Sequence, residues 1–285
     1  MPSGFFRKKK SPCTNSRRQQ VNRKCSRMLK RGARLHHLGL TRSSRKLDHL
    51  LQTPNTFIRT PLPGAVDVDF VVHAAPQLGA HFTQMTAEFK AGGMLGSAPA
   101  QRFIYVLEGG LDLEVNGQSH TLFAGGFAYL PAETPHQVRA VTAARAAVIE
   151  KPYEPLSSKN PPNAEVVIGD EANIAPVPLM GDESLRVCSL MPDGPAYDFA
   201  VNTMTYDPGA ALNMVEIHVM EHGLLMLEGG GIYRLGDAWY PVQAGDFIWM
   251  APYCPQWFGA LGKRPAKYLI YKDWRRHPLG AVNSR

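Results

Sequence analysis

Acidic residues are absent from the first 47 positions of this 285-residue chain, although 15 of its 31 Lys and Arg residues lie there. Asp48 is the first acid, and the rest of the chain carries 16 basic residues against 24 acidic ones. The formal net charge of +7 therefore belongs to a basic tail, while the remainder is acidic. The positive charge lies in the tail and not in the predicted folded domain. Nucleic-acid binding is therefore not expected for the protein as a whole.

Cysteine is also scarce, since the chain contains only Cys13, Cys25, Cys188 and Cys254, and no two of them form a CxxC pair. This excludes a disulfide-rich scaffold and indicates free thiols in a reducing compartment. Cys254 lies two residues before Gln256, where a reactive thiol is conceivable. A small buried residue is the favoured interpretation.

Long hydrophobic runs are missing as well. No apolar stretch approaches the roughly 20 residues that span a bilayer, so no membrane span and a soluble protein are expected. Hydrophobic residues still make up 44% of the chain, which is enough for a sizeable core. The 26 Gly and 23 Pro residues predict frequent turns, and frequent turns favour an all-β fold over a helix bundle.

Residues 1–37 are basic and polar with little hydrophobic periodicity, and they are predicted to be disordered. One interpretation is a plain tail, or a gene start placed upstream of Met28. A second is an organellar presequence, because the segment is rich in Arg and free of acids. A third is a segment that binds nucleic acid or an anionic surface. The expected location is the cytoplasm, or an organelle if the second interpretation holds.

Short alternating segments follow, separated by Gly-Gly, Asn-Gly and Pro-containing turns, and this pattern predicts a series of β-strands. The predicted strands are Val66–Val72, His81–Phe89, Phe103–Leu107, Leu111–Val115, Phe127–Leu130 and Ala146–Ile149.

An internal repeat appears when the chain is shifted by 120 residues. The segment Leu-Glu-Gly-Gly occurs at 107–110 and again at 227–230, and Ala-Gly-x-Phe occurs at 124–127 and 244–247. Pro135-His136 then coincides with Pro255-Gln256. Three matches in one ungapped register predict a duplicated all-β domain, with copies near 65–152 and 185–274.

The second copy contains a candidate metal site. Glu216, His218 and His222 are separated by even numbers of residues, so in a β-strand their side chains would point to one face. Ile217 and Val219 would then face an apolar layer. One carboxylate and two imidazoles on one face are a typical metal-ligand set.

A further predicted strand, residues 246–252, would bring Gln256 back to the same point. The repeat also distinguishes the two copies. Of the four candidate ligands, only Gln256 is matched in the first copy by a residue that could bind a metal, His136. The other three candidates map onto Gly96, Ala98 and Arg102. The first copy is therefore expected to bind no metal, and His136 to be a hydrogen-bonded structural residue.

These motifs resemble the cupin β-barrel, in which closely spaced His and Glu ligands precede a Gly-rich turn and a further strand that ends near a Pro-His pair. Two such motifs in tandem imply a bicupin, which is an all-β chain of two double-stranded β-helix, or jelly-roll, barrels. The second copy departs from the usual motif. It has Glu-x-His-x-x-x-His where most cupins have His-x-His-x(3,4)-Glu, and Gln256 where they have His.

That departure closely resembles the (S)-ureidoglycine aminohydrolase family. The resemblance covers about residues 38–280 and is strongest over 213–274. Further segments that are similar to the family are Gly39-Leu-Thr-Arg-Ser43, Thr60-Pro-Leu-Pro-Gly64, and residues 231–235, 239–246, 249–252 and 268–273.

The resemblance implies roles for individual residues. The Mn²⁺ ligands would be Glu216, His218, His222 and Gln256. Substrate would be bound by Tyr233, Tyr268 and Lys272, with Glu216 and Gln256 close enough to touch it. Catalysis would involve Lys272 and Glu216, and Lys272 would either pair with the substrate carboxylate or carry a proton to or from the amine. The mixed oxygen and nitrogen ligand set also suits Fe²⁺, Zn²⁺ or Ni²⁺.

The implied organisation is a tail at 1–37, an N-terminal barrel with leading strands and no metal at 38–155, a linker at 156–184, and a C-terminal barrel with the metal and active site at 185–280. The implied reaction converts (S)-ureidoglycine and water into (S)-ureidoglycolate and ammonia in purine degradation. The alternatives are another metal-dependent cupin enzyme, such as a dioxygenase or isomerase acting on a small acid, and a non-catalytic binding bicupin. A homo-oligomer is expected, with eight subunits as the size that the resemblance suggests.

Overall fold

The computed structural model describes residues 40–156, 163–273 and 276. Within these ranges, the regular structure consists of 21 β-strands and three single-turn 3-10 helices, which confirms the predicted all-β fold. No helix of the described ranges is long and apolar enough to cross a membrane. The predicted basic tail, residues 1–37, lies outside the described residues.

The strands that precede and build the first barrel are segments bounded by turns, and several of them, such as β6 and β9 below, are buried on both faces. They are β1 (Ser44–Arg45), β2 (His49–Gln52), β3 (Arg59–Thr60), β4 (Ala65–Ala74), β5 (Thr83–Gly96), β6 (Gln101–Glu108), β7 (Gly110–Val115), β8 (Gln118–Phe123), β9 (Gly126–Leu130), β10 (His136–Ala140) and β11 (Ala144–Lys151). The six predicted strands fall on β4, β5, β6, β7, β9 and β11. The edge strand β8 was missed because Leu122 is its only buried residue.

The second half of the chain repeats this order. Its strands are β12 (Val167–Asp170), β13 (Val177–Leu179), β14 (Asp182–Ser189), β15 (Phe199–Tyr206), β16 (His222–Glu228), β17 (Gly230–Leu235), β18 (Ala238–Gln243), β19 (Phe247–Met250), β20 (Gln256–Ala260) and β21 (Ala266–Asp273). Three strands, β7, β8 and β10, coincide with β17, β18 and β20 after the 120-residue shift. The duplication is therefore present in the structure as well as in the sequence.

Three apolar cores hold together the part of the chain that the structure describes. One lies inside each barrel, and the third lies between the barrels and contains residues of both. Successive side chains of strand β21 point into two different cores. Tyr268 and Ile270 face the interior of the second barrel, and Leu269 and Tyr271 face the core between the barrels. Polar side chains on the interior face of this strand are thereby held inside a packed barrel.

The two halves exchange their leading strands. Strand β2, which precedes the first barrel, pairs with β19 of the second barrel, with Leu50 opposite Trp249. Strand β12, which precedes the second barrel, pairs with β9 of the first, with Val167 opposite Tyr129. Tyr129 and Trp249 are equivalent in the repeat, so the exchange is reciprocal.

This exchange corrects two predicted boundaries. The leading strands β1 and β2 were assigned to the N-terminal barrel at 38–155, but they belong to the sheet of the second barrel. The segment 156–184 was predicted to be a linker, but it contains β12 and β13, which join different barrels. The reason is that β9 and β19 each need a hydrogen-bonding neighbour at the sheet edge. The sequence repeat does not show which copy provides it.

The repeated Leu-Glu-Gly-Gly turns require glycine for a steric reason. The first glycine of each, Gly109 and Gly229, has a left-handed φ of 79° and 63°. A Cβ atom would also clash with the carbonyl oxygen of Ala143 at the first position and of Pro265 at the second. The repeat signature therefore marks a close approach of two backbones and has no chemistry of its own.

Candidate metal and substrate site

The segment at 207–221 does not form the strand that the even spacing of Glu216, His218 and His222 predicted. Strand β15 ends at Tyr206, and Pro208 and Gly209 form a turn directly after it. Proline has no N–H to donate to a sheet, and Gly209 has a left-handed φ of 86°. Regular pairing therefore stops, and it resumes only with β16.

Two isolated bridges to β20 replace the missing strand, and one of them joins Glu216 to Gln256. The main-chain N–H of Glu216 donates to the carbonyl of Gln256 at 2.8 Å, and the N–H of Gln256 donates back at 2.9 Å. Ile217 was expected to face an apolar layer, but it is 63% exposed. The prediction that these residues share one strand face was therefore wrong.

The four predicted ligands nevertheless lie together, with His218 in the middle. Its Nε2 atom is 3.3 Å from Nε2 of His222, 2.6 Å from Nε2 of Gln256 and 3.9 Å from a carboxylate oxygen of Glu216. The amide nitrogen of Gln256 faces His218, so this amide must turn over to present its oxygen to an ion. His222 and Gln256 are both 3% exposed.

Both imidazoles are held in the neutral form that binds metals. Burial lowers the pKa of His222 well below its usual value, and burial also lowers the pKa of His218 although Glu216 opposes it. Nδ1 of His222 donates to the carbonyl oxygen of Tyr271 at 3.1 Å. The lone pair of His222 is therefore on Nε2 and points toward His218.

Lys272 lies next to the ligands because β21 places it opposite His222 in the sheet. Burial lowers the pKa of Lys272, while the negative charge of Glu216 opposes that shift. With the amide of Asn202 oriented by its hydrogen bonds, its nitrogen donates to the carbonyl of Val201 at 3.0 Å. Its oxygen accepts from the Lys272 ammonium at 3.1 Å. The lysine is therefore positioned by a partner on β15.

The predicted tyrosines line the interior of the same barrel. Tyr233 on β17 is 1% exposed and Tyr268 on β21 is 2% exposed. The hydroxyls of Tyr268 and Tyr206 are 2.7 Å apart. Burial raises the pKa of Tyr233 and Tyr268 well above the usual value, so both hydroxyls keep their protons and act as neutral hydrogen-bonding groups.

Asn202 and Tyr206 were missed in the sequence. They occupy alternate positions on β15, together with Ala200 and Met204, and in the sheet this face lies beside Lys272 and Tyr268. The alternation in residues 200–206 was the signal that could have found them, because an asparagine on the interior face of a strand needs a polar partner.

The first barrel has a guanidinium group where the second has its imidazoles. Arg102 occupies the position of His222, and it pairs across the sheet with Glu150 as His222 pairs with Lys272. Its side chain donates to Glu150 at 2.6 and 2.8 Å. The position of the acidic Glu150 in the first barrel is thus occupied by the basic Lys272 in the second.

Arg102 also donates to Nε2 of His136 at 2.8 Å and to the carbonyl of Gly96 at 2.6 Å. Nδ1 of His136 donates to the carbonyl oxygen of Thr134 at 2.7 Å. Both ring nitrogens of His136 are therefore engaged within the protein. These bonds fit the expectation that His136 is structural.

Cys254 is 4% exposed. Burial raises the pKa of its thiol to about 11. This fits the favoured interpretation of a small buried residue and does not fit a thiolate nucleophile.

Comparison with known proteins identifies both the domain type and close relatives. The family described as Cupin domain matches residues 87–150 and 202–271, which confirms the two cupin repeats. The (S)-ureidoglycine aminohydrolase of Arabidopsis thaliana is 42% identical over 246 residues, which are 85% of this chain and 80% of that protein. The enzyme of the same name from Escherichia coli K12 is 27% identical over 79% of this chain and 88% of its own.

Solved structures show the same architecture. A Pseudomonas aeruginosa protein superposes with a TM-score of 0.76 at 30% identity, covering 83% of this chain and 92% of its own. The similarity therefore covers most of both chains.

Proposed function

Because the chain belongs to the (S)-ureidoglycine aminohydrolase family, we propose that it converts (S)-ureidoglycine and water into (S)-ureidoglycolate and ammonia. The observation that carries this proposal is the 42% identity to the Arabidopsis thaliana enzyme over 85% of the chain. The neutral imidazoles, the carboxylate and the lysine described above provide a suitable site in the second barrel. No specific observation favours the alternatives, which were a dioxygenase or isomerase reaction and a non-catalytic binding role.

The second barrel also has the groups to hold a divalent metal. Two neutral imidazole nitrogens lie 3.3 Å apart, and both lone pairs would be available to a cation. Glu216 would contribute a carboxylate oxygen and Gln256 an amide oxygen. We propose Mn²⁺ as the ion, since a mixed set of oxygen and nitrogen ligands suits it. A bound ion of this kind supplies positive charge that orients and polarises the substrate.

The protein's own residues would handle charge and protons. The Lys272 ammonium is close enough to Glu216 to respond to its charge, and it would pair with the substrate carboxylate or give a proton to the departing amine. The hydroxyls of Tyr233 and Tyr268 would hydrogen-bond the ureido group. Their burial at the barrel interior keeps water from competing for these bonds.

The test is ammonia release from freshly generated (S)-ureidoglycine, with Mn²⁺ present and after chelation. The substrate also decays spontaneously, so the signature of the enzyme is a rate above background and a single ureidoglycolate enantiomer. We expect chelation to abolish the excess rate and Mn²⁺ to restore it. Racemic product at the background rate would contradict the proposed function and favour another small-acid substrate.

Asn202→Ala should lower activity by removing the acceptor that positions the Lys272 ammonium at 3.1 Å. A hydrogen bond to a charged group contributes about 1.5–3 kcal/mol, so a loss of roughly 10-fold or more is expected. Measuring kcat and KM separately distinguishes two roles: a rise in KM indicates a carboxylate anchor, and a fall in kcat indicates a proton carrier. Asn202→Asp keeps an acceptor and should be the milder variant. Equal activity of wild type and the alanine variant would contradict the positioning role.

Two further expectations stay predictions. A homo-oligomer is supported by apolar side chains that are exposed near the site, where Met214, Ile217 and Tyr253 are each at least 60% exposed. The cytoplasm remains the proposed location, with an organelle as the alternative.

A further inference from the structure

A second cluster of possible metal ligands lies outside the site described above. Asp48, His49 and Cys254 each offer one ligand atom, and the three atoms lie within 4.8 Å of one another. In a tetrahedral zinc site, bonds of about 2.0–2.3 Å place ligand atoms roughly 3.5 Å apart. Small side-chain movements would therefore be enough for all three to reach one ion.

The sheet fixes the backbones that carry these ligands. His49 at the start of β2 pairs with Met250 at the end of β19, and the carbonyl of Asp48 accepts from the N–H of Ala251 at 2.9 Å. Cys254 follows three residues later in the same loop. The cluster thus joins the leading strand of the first half to a loop of the second barrel.

The turn at Gly236 packs directly against these ligands. A Cβ atom at this position would lie 3.1 Å from a carboxylate oxygen of Asp48 and 3.6 Å from Cε1 of His49. Gly236 has a left-handed φ of 60°, and its N–H donates to the carbonyl of Pro255 at 2.8 Å. A side chain at this position would therefore crowd Asp48 and His49, while glycine lets the turn stay close to them and attached to the loop of Cys254.

The surroundings of His49 are those of a metal ligand. Its Nδ1 atom is 2.9 Å from the Asp48 carboxylate, and its Nε2 atom is 2.9 Å from the hydroxyl of Tyr240. With an ion on Nδ1, the Nε2–H would donate to Tyr240, which is the outer hydrogen bond that orients metal-bound histidines. His49 is 2% exposed and Asp48 is 46% exposed, so the imidazole is fixed and the carboxylate side admits an ion from solvent.

We propose that Asp48, His49 and Cys254 form a second metal site for Zn²⁺ or a similar borderline-soft divalent cation, with water as the fourth ligand. One thiolate, one imidazole and one carboxylate are ligands that Zn²⁺ accepts. On binding, the thiol proton of Cys254 passes to solvent and the sulfur coordinates the ion. An ion bound here would tie β2 to the loop that leads into Gln256. It does not depend on the proposed reaction.

Co²⁺ is the probe that separates the two sites, because only coordination by a thiolate produces an intense near-ultraviolet charge-transfer band. The full-length protein is stripped with a chelator and titrated with Co²⁺ while its absorbance is recorded. We expect this band in the wild type and in the Cys13→Ser, Cys25→Ser, Cys188→Ser triple variant, in which Cys254 is the only thiol. The band should also persist when His218 and His222 are both replaced by alanine.

Cys254→Ser should lose the band. Asp48→Asn changes a half-exposed side chain, so it should fold as the wild type does, and it should weaken Co²⁺ binding at this site at least about 10-fold. The proposal is overturned if the wild type shows no thiolate band, if the band survives Cys254→Ser, or if Asp48→Asn binds Co²⁺ as tightly as the wild type.

Discussion

The His222→Ala variant is expected to lose at least about 1,000-fold in kcat/KM, which corresponds to ~4 kcal/mol of transition-state stabilisation. His222 is the most rigidly placed of the proposed ligands. It is 3% exposed, it begins β16, and its Nδ1 donates to the carbonyl of Tyr271. Its removal leaves Glu216, His218 and Gln256, which lie on a loop and at a strand end, to hold the ion. Metal content and stereospecific ammonia release measure the effect.

The matched control is His136→Ala, because His136 is the imidazole at the ligand position of the first barrel. Its metal content and its activity per folded molecule should stay within about twofold of the wild type, since the partners of its ring nitrogens among the described residues are Arg102 and Thr134. Retention of metal and activity by His222→Ala would contradict the proposed ligand set. Equal losses in both variants would show that the effect comes from destabilisation.

Arg102→Met is expected to lower the free energy of unfolding by about 3 kcal/mol, because it leaves a carboxylate without its buried partner. The Arg102 side chain is 4% exposed and that of Glu150 is 23% exposed. The substitution also removes the donors to His136 and to the carbonyl of Gly96. Equilibrium denaturation, followed by tryptophan fluorescence, gives the change.

Arg59→Met is the control for this prediction. Arg59 makes a similar two-bond ion pair with Glu88, but its side chain is 54% exposed, so its loss should cost at most about 1 kcal/mol. The double variant Arg102→Met, Glu150→Gln should recover part of the lost stability because no unpaired charge remains. If Arg102→Met lowered the free energy of unfolding no more than Arg59→Met does, the Arg102 guanidinium would not have the structural role assigned to it.

The strands could be predicted where short apolar runs are bounded by turn residues. Strands β6, β7 and β9 are mostly buried and are bounded by Gly or Pro, and they follow the predicted ranges closely. The exchange of β2 and β12 could not be predicted, because both strands are short and their partners β9 and β19 have similar sequences. Pairing over about 200 residues depends on how the two halves pack, and local pattern does not specify it.

The site was predicted in part for the wrong reason. The even spacing of Glu216, His218 and His222 suggested one strand, whereas the turn at Pro208 and Gly209 ends the strand and two isolated bridges position the loop. Gln256 came from the repeat and from the family resemblance. Asn202 has no motif around it, and its importance depends on the three-dimensional position of the Lys272 ammonium.

The reciprocal exchange of β2 and β12 means that neither half of the chain is a self-sufficient folding unit. A half expressed alone would contain a leading strand with no barrel to complete and a barrel with one open edge, which invites aggregation. Two ancestral single-barrel chains that exchanged their leading strands in a dimer would give this arrangement directly when fused into one chain. The second barrel needs β2 from the first half whether or not the first barrel binds a metal. The first half thus acts toward the second barrel as a partner subunit would, although both belong to one chain.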